Sequence, residues 1–275
     1  MGTPASPTLD ATQLARVIAA VRDAKNILVL TGAGISAESG VPTFRGKDGW
    51  WRSRNPEELA TRTAFRENPR LVWEWYEYRR ELIARVEPNL AHHALAWLES
   101  QGKNVFILTQ NVDDLHERAG SRQVVHIHGS IWSVTCLKED RTFEDRRVPM
   151  PELPPLCACG GVLRPAVVWF DEELPHDACA RIENYLQQGG IDVAFVVGTY
   201  VTFDYIARWA LAARNSGALL VEVNPDETSL TRQADIVLRG KAGDIFSAIR
   251  AGLAIPGLAI PDLEGGAGPA IGDAK

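Results

Sequence analysis

Three features of this 275-residue chain point to an α/β fold, a parallel sheet with helices on both faces. Short apolar runs recur along it: Ile27–Leu30, Val105–Leu108, Val124–Ile127, Asp192–Val197, Leu219–Val223 and Ile236–Leu238. Runs of that length suit strands buried on both faces. Stretches with apolar residues at helical spacing alternate with them, which is the signature of parallel strands joined by crossover helices. Several runs also end in glycine or a polar amide: Thr31-Gly-Ala-Gly34, Gln110-Asn-Val-Asp113, Gly198-Thr199 and Asn224. Ligands of such sheets bind outside the carboxyl ends of the strands, so the four endings are expected on one rim, in a Rossmann-like arrangement suited to a large polar cofactor.

Taken in order, residues 1–9 read as a disordered tail. Asp10–Lys25 is helical, with Leu14, Val17, Ile18 and Val21 on one face. The strand at Ile27–Leu30 then turns on Gly32 and Gly34, where glycine permits a tight turn and close approach of a phosphate. Ser36, Ala37 and Glu38 read as the first turn of a helix whose free N–H groups attract an anion. Together these describe a pyrophosphate cradle, although G-x-G-x-x-G would need glycine at Ala37. The loop Val41–Gly46 continues from it and carries Phe44 and Arg45.

Residues 47–90 look helical and aromatic-rich, punctuated by Pro56, Pro69 and Pro88. Most of the aromatics read as core or groove wall. Asn89–Gln101 is a further helix, and its His92 and His93 are assigned no chemistry. Residues 133–164 break the pattern with three cysteines, a charge run from Lys138 to Arg147 and several prolines. They read as a small inserted module rather than sheet, the charge run as solvated surface. Val167–Phe170 is a strand candidate, Cys179–Leu186 and Ala207–Arg214 are helices, and a closing helix starts near Asp244. The end of the chain repeats Gly-Leu-Ala-Ile-Pro at 252–256 and 257–261, too few copies for a repeat fold.

A hydrophobic content of 45% supports a substantial core, and a net charge of −6 argues against a general nucleic-acid binder. No apolar run approaches membrane-spanning length. The start of the chain matches a myristoylation pattern, Met-Gly-x-x-x-Ser, which is read as chance. Cytoplasmic placement with no membrane and no nucleic-acid partner is expected; the oligomeric state is not legible. Cys157 and Cys159 sit too close for a secreted disulfide framework and suggest metal or redox chemistry. His128 is the candidate base, at a strand-to-turn junction beside the amides and carboxylate of residues 110–113. His126 is left out, on the expectation that alternation turns it to the opposite face.

Gly32–Gly46, Thr109–Gly120, His128-Gly129, Val167–Phe170, Gly198-Thr199 and Val223–Pro225 together resemble the sirtuins, NAD-dependent protein-lysine deacylases, across residues 10–250. The resemblance implies that Gly32, Ala33, Gly34 and Ser36 take the pyrophosphate of NAD, with Phe44 and Arg45 in a cofactor loop. Gln110, Asn111 and Asp113 would hold the nicotinamide ribose and carboxamide, and Gly198, Thr199, Asn224 and Ala242 complete the cofactor set. The acyl oxygen of a modified lysine would attack the ribose as nicotinamide leaves, with His128 and Asn111 as catalytic residues. His128 would take a proton from the ribose hydroxyls, and O-acyl-ADP-ribose would result. The acylated peptide would add as a strand beside Val168, Trp169 and Phe170. Residues 10–40, 91–127 and 173–250 would form the NAD-binding domain and 41–90 a helical cofactor and acyl-pocket module. Residues 128–172 would form a degenerate zinc-ribbon-like module with the substrate strand, and 251–275 a flexible tail.

Tyr76 and Arg79 fall three apart on a predicted helix, hence on one face. Their spacing resembles that of sirtuins that remove succinyl, malonyl or glutaryl groups, and Ala60 matches the small residue that widens the acyl pocket there. A guanidinium fork and a phenol can bind a terminal carboxylate. The bland alternative makes Arg79 a surface cation. Two departures stand out. Sirtuins carry two Cys-x-x-Cys pairs for zinc, whereas this chain has Cys136 with Glu139, and Cys157-Ala-Cys159. Three thiolates with Glu139 or Asp140 could hold zinc, or apolar packing could hold the module. Asp171 stands where the family has glycine and adds negative charge near the substrate groove. Remaining alternatives are a plain deacetylase or mono-ADP-ribosyltransferase, a non-catalytic NAD or ADP-ribose binder and, last, a zinc-module nucleic-acid binder.

Overall fold

A computed structural model of the chain describes residues 10–43 and 55–254. Six strands form a parallel sheet: β1 (Asn26–Thr31), β2 (Asn104–Thr109), β3 (Val124–His126), β7 (Val193–Val197), β8 (Leu219–Val223) and β9 (Ile236–Leu238). Their order is β3-β2-β1-β7-β8-β9, so the chain starts in the middle and winds outward twice. In register, Leu30 pairs with Leu108 and with Val196, which brings the last residues of β1, β2 and β7 level. Alternation sorts the central strands between two cores. Ile27 and Val29 pack with α1 (Ala11–Asp23), α6 (Leu90–Ser100) and α10 (Ala242–Leu253). Leu28 and Leu30 pack with α8 (His176–Gln188) and α9 (Asp204–Asn215), while the short α7 (Leu115–Arg118) lies between β2 and β3 in the chain. Both faces are covered, which is why these strands carry no polar alternation.

A second sheet is antiparallel, with strands in the order β5-β4-β6: β4 (Gly129–Cys136), β5 (Arg141–Glu144) and β6 (Leu163–Val167). It corrects the expectation that residues 133–164 contain no sheet. The signal was present in β4, where Trp132, Val134 and Cys136 are buried and Ser133 and Thr135 are less so. The charge run obscured it. Arg141–Glu144 is a short, mostly exposed edge strand, and charge on an edge discourages further pairing. The run is not all solvated surface either, since Asp145 is buried and paired with Arg147 at 2.6 Å. This sheet shares one core with α4 (Arg62–Glu67) and α5 (Pro69–Arg85), built on Phe65, Trp73, Trp75, Tyr76, Trp132 and Trp169. The helix α3 (Pro56–Leu59) adds Leu59 to it.

Three boundaries differ from the sequence reading. The closing helix α10 runs to Leu253, so residues 251–253 are helical rather than the start of a tail. Ser36, Ala37 and Glu38 do not start a helix; α2 spans Ala33–Ala37, begins at the Gly32 cap and is ending where they lie. The strand expected at Val167–Phe170 stops at Val167, because the next three N–H groups turn to other acceptors. Val168 donates to the His128 carbonyl (2.9 Å), Trp169 to Glu172 Oε2 (3.0 Å) and Phe170 to the Ala60 carbonyl (3.0 Å). Among the described residues, no helix is long and apolar enough to cross a membrane.

Candidate active site

The four strand endings do meet on one rim. Gly32 N–H donates to the Val197 carbonyl (3.0 Å) and Gly34 N–H to the Gly198 carbonyl (2.8 Å). Gln110 N–H donates to the Thr31 carbonyl (3.0 Å), and its side-chain amide to Thr199 Oγ1 (3.0 Å). Asn224 Nδ2 donates to the Thr199 carbonyl (2.9 Å). The glycine turn packs directly against Gly198 and Thr199: a Cβ on Gly32 would lie 2.7 Å from the Thr199 Cβ, and one on Gly34 2.7 Å from the Gly198 Cα. Ala33 is the first residue of α2, beside these contacts. Ala242 is buried in the first turn of α10, where the next residue, Gly243, donates its N–H to Glu38 Oε2 at 2.7 Å. Glu38, pointing at that helix start, therefore ties α10 to the cradle.

Behind the turn, Asn111 Nδ2 donates to Ser36 Oγ (3.0 Å), and the Ser36 hydroxyl donates to Asp113 Oδ2 (3.0 Å). All three residues are buried. Burial raises the Asp113 carboxyl above its ordinary value, opposed by the Leu115 N–H, the Ser36 hydroxyl and the charges of His126 and Arg79. Asn111 and Asp113 are thus held through one serine hydroxyl, with the Asn111 carbonyl bound by His126 Nδ1 at 2.9 Å.

His128 sits in the turn between β3 and β4. Its Nδ1 lies 2.8 Å from the Gln110 carbonyl and its Nε2 2.6 Å from the Tyr205 hydroxyl. A carbonyl only accepts, so Nδ1 carries the proton and Nε2 presents the lone pair. Burial lowers this imidazole to about 4, against the Gln110 hydrogen bond, so it is neutral at neutral pH. His126 reaches the same loop, which corrects its exclusion: residues two apart share a side of a strand, and both rings bind carbonyls of the 110–111 segment. His126 Nε2 also meets Glu117 Oε1 at 2.6 Å. Burial works against its charge, but Glu117 outweighs it and the pKa rises above the ordinary value.

Of the remaining candidates, Tyr76 and Ala60 both meet the Val168–Phe170 segment. Tyr76 is 2% exposed, and its oxygen accepts from Trp169 Nε1 at 3.0 Å. Burial pushes the phenol up to about 12, so it stays a donor. Arg79 is half-buried with its guanidinium over the Trp75 ring (5.2 Å), so it does not stand free on the surface. Burial lowers its pKa, and the nearby Tyr76 and Asp113 oppose that. Ala60 is buried and joined through its carbonyl to Phe170, a residue 48% exposed; Val168 is half-buried. Arg164, absent from the sequence reading, braces this segment. Its guanidinium stacks 3.6 Å over Trp169, and it bonds the Val167 carbonyl (2.9 Å) and Glu172 (2.5 Å). Asp171 accepts from the Arg62 N–H at 3.0 Å, so its charge is partly spent within the protein. Tyr205 was also missed. It lies in the first turn of α9, far from any motif, and nothing in its local sequence marks it. Phe44 and Arg45 lie outside the described residues.

Cys136, Glu139, Cys157 and Cys159 place their ligand atoms within 4.8 Å of one another, with the Cys136 and Cys159 sulfurs 3.5 Å apart. The turn fits a metal. A Cβ on Gly161 would lie 2.9 Å from the Cys136 sulfur, and the Cys157 N–H closes the turn onto the Gly161 carbonyl (2.8 Å). The Cys159 N–H lowers the Cys157 thiol, while Cys159 rises to about 11 despite the Gly161 N–H, through burial and its neighbouring thiols. Three thiolates so close need a cation to be charged together, and zinc accepts three sulfurs with one carboxylate oxygen. These four residues could hold it, as a brace for the antiparallel sheet.

Residues 32–203 match the Sir2 family. The chain is 49% identical over 218 residues to the NAD-dependent protein deacylase of Aquifex aeolicus, covering 79% of this chain and 90% of that protein. It is 47% identical over 232 residues to NAD-dependent protein deacylase 1 of Archaeoglobus fulgidus, covering 84% and 94%. Among solved structures, a Sir2 homolog–NAD complex superposes with a TM-score of 0.80 at 44% identity, covering 87% of this chain and 95% of that one. A Sir2–p53 peptide–NAD+ complex superposes with a TM-score of 0.75 at 28% identity, covering 86% and 96%. With the strand endings, the glycine turn and the histidine all in one place and matches of this extent, the chain belongs to the Sir2 family.

Proposed function

We propose that this chain is an NAD-dependent protein-lysine deacylase that prefers acyl groups ending in a carboxylate: succinyl, malonyl or glutaryl. NAD-dependent protein deacylation is the activity of the family; the acidic preference is the finer reading. One observation carries it. A tyrosine hydroxyl and a half-buried guanidinium lie one helical turn apart on α5, and the tyrosine is bonded to Trp169 in the substrate segment, whose Phe170 is bonded to Ala60. Tyr76 accepts from Trp169 and keeps its own proton for an acceptor. A carboxylate is the acceptor that suits both groups. A neutral acetyl group would bring no charge to that place.

The Gly32–Ser36 turn, with Gln110, Asn111, Asp113, Gly198, Thr199, Asn224 and Ala242, would hold NAD; Phe44 and Arg45 join that set by resemblance. When bound, NAD would supply a ribose carbon from which nicotinamide departs and ribose hydroxyls that receive the acyl group. His128 is the base, neutral and with Nε2 unprotonated, and Gln110 fixes its tautomer. Asn111, anchored through Ser36, orients what binds before it. An acyl-lysine peptide would lie along Val168–Phe170. The N–H groups of all three are engaged within the protein, so the peptide's own N–H groups would donate to their carbonyls.

The test is turnover of acetyl-, malonyl-, succinyl- and glutaryl-lysine peptides with NAD, for the wild type and Arg79→Met. A charge-assisted hydrogen bond contributes about 1.5–3 kcal/mol, so Arg79→Met should lower kcat/KM for succinyl-lysine about 10- to 150-fold relative to acetyl-lysine. Equal losses for the two substrates would remove Arg79 from acyl recognition and leave a plain deacetylase. Absence of nicotinamide release with every peptide would favour a non-catalytic binder.

A further inference from the structure

We propose that Tyr205 occupies the lone pair of His128 Nε2 in the ligand-free protein and surrenders it to a ribose hydroxyl when NAD binds. The inference rests on His128 being the base. The Tyr205 hydroxyl is 2.6 Å from Nε2, while Nδ1 is committed to the Gln110 carbonyl at 2.8 Å. An imidazole nitrogen has one lone pair and takes one good in-plane hydrogen bond. With Nδ1 protonated, the tyrosine must be the donor, and burial raises its pKa and so keeps the phenol protonated. A sugar hydroxyl that gives its proton to Nε2 has to come along the same direction. The two donors exclude each other.

The surroundings suit a group that moves. Tyr205 is the second residue of α9, half-buried, with its ring stacked on Phe203 at 5.3 Å and 8°. Phe203 is 37% exposed and meets the imidazole edge-on at 5.8 Å, so the aromatic pair has solvent on one side. The loop that delivers the pair is strained: Val201 has φ of +55°, a region a β-branched residue rarely enters. Strain of this kind is held by its surroundings and gathers where two backbone arrangements compete. The same loop carries Thr199, which bonds Gln110 on the rim, so filling the rim acts on the segment that places Tyr205.

Tyr205→Phe keeps the stacked ring and removes the hydroxyl alone. NAD binding is measured by calorimetry, and the His128 ring nitrogens are followed by ¹⁵N NMR. NAD should bind the variant about fivefold more tightly, the value of one net hydrogen bond no longer broken on binding. The Nε2 resonance of the free variant should shift toward that of an unbonded nitrogen, and NAD should shift it back. In a His128→Ala background the same substitution should leave the NAD dissociation constant where it was. Unimproved binding by Tyr205→Phe, or an equal gain without the histidine, overturns the proposal. So does a 100-fold fall in kcat at constant KM, which would make the hydroxyl a proton relay. Turnover by His128→Ala alone reports separately on the base: its survival removes His128 from that role, whatever the binding data say.

Discussion

Gly34→Ala tests the cradle most directly, because the clash it creates can be worked from distances. The backbone φ at Gly34 is not in the left-handed region, so the effect of alanine there is steric. Its Cβ would lie 2.7 Å from both the Cα and the carbonyl oxygen of Gly198 and 3.0 Å from the carbonyl carbon. Comfortable carbon contacts begin near 3.5 Å, so the two loops must part by about 1 Å. Neither side is a flexible side chain that could turn away. Parting also breaks the 2.8 Å hydrogen bond from Gly34 N–H to the Gly198 carbonyl. Overpacking costs about 1–3 kcal/mol and the lost bond about 1 kcal/mol, so stability should drop by about 2–4 kcal/mol. At this chain length that lowers Tm by about 5–12 °C, measured by scanning calorimetry. NAD binding should weaken as well, because the same close approach shapes the cradle, and turnover can fall about 100-fold when a positioning element moves by about 1 Å. The control is Gly102→Ala. Gly102 has φ of +83° with nothing within 4 Å of an added Cβ, so it loses stability through the left-handed backbone alone and keeps NAD affinity. If Gly34→Ala binds NAD within about threefold of wild type while folding normally by circular dichroism, the close approach does not build the cofactor site.

Two further outcomes follow from other parts of the molecule. Glu139→Ala should lose zinc to a chelator well before the wild type does, and Glu139→Cys should hold it longer; elemental analysis after dialysis decides, and equal retention in all three proteins would remove Glu139 from the ligand set. Glu117→Gln should destabilise by about 1 kcal/mol or less, because Glu117 is partly exposed, and only at low pH. His126 has a raised folded pKa, so the stability it gains from Glu117 is complete below its unfolded value near 6.5 and disappears as pH climbs through the folded value. Denaturation curves that differ equally at pH 5.5 and pH 9 would contradict this pairing.

The sheet was readable because a strand buried on both faces has no choice but to be apolar, and six such runs stand out between helical stretches. The rim was readable for a related reason: strands that end level must end in residues that turn, and Gly32, Gln110, Gly198 and Asn224 do so. Where a segment is buried on one side only, the signal weakened. The strand around Trp132 and Val134 alternates properly, yet its edge partner Arg141–Glu144 is charged to protect an open edge and looked like loop. The end of the strand near Val167 was set by acceptors on other segments, Glu172, His128 and Ala60, which no local pattern reveals. His126 was excluded by a miscount of alternation rather than by any lack of signal. Tyr205 is a different case, a half-buried tyrosine on a helix, significant only because another chain segment brings an imidazole nitrogen to its hydroxyl.

Gln110 shows how the fold and the chemistry depend on one another. Its N–H is bound to the end of β1, its side chain to Thr199 beyond β7, and its carbonyl to His128. Three strand endings therefore determine where that carbonyl points, and the carbonyl determines which imidazole nitrogen keeps its proton. Because the acceptor is main chain, no side-chain substitution at 110 removes it directly. Replacing Gln110 would release the Thr199 contact and leave the tautomer in place as long as the Thr31 hydrogen bond holds the backbone. The basic nitrogen of His128 is thus set by the parallel register of β1, β2 and β7, which itself follows from the apolar runs that fill the core beneath.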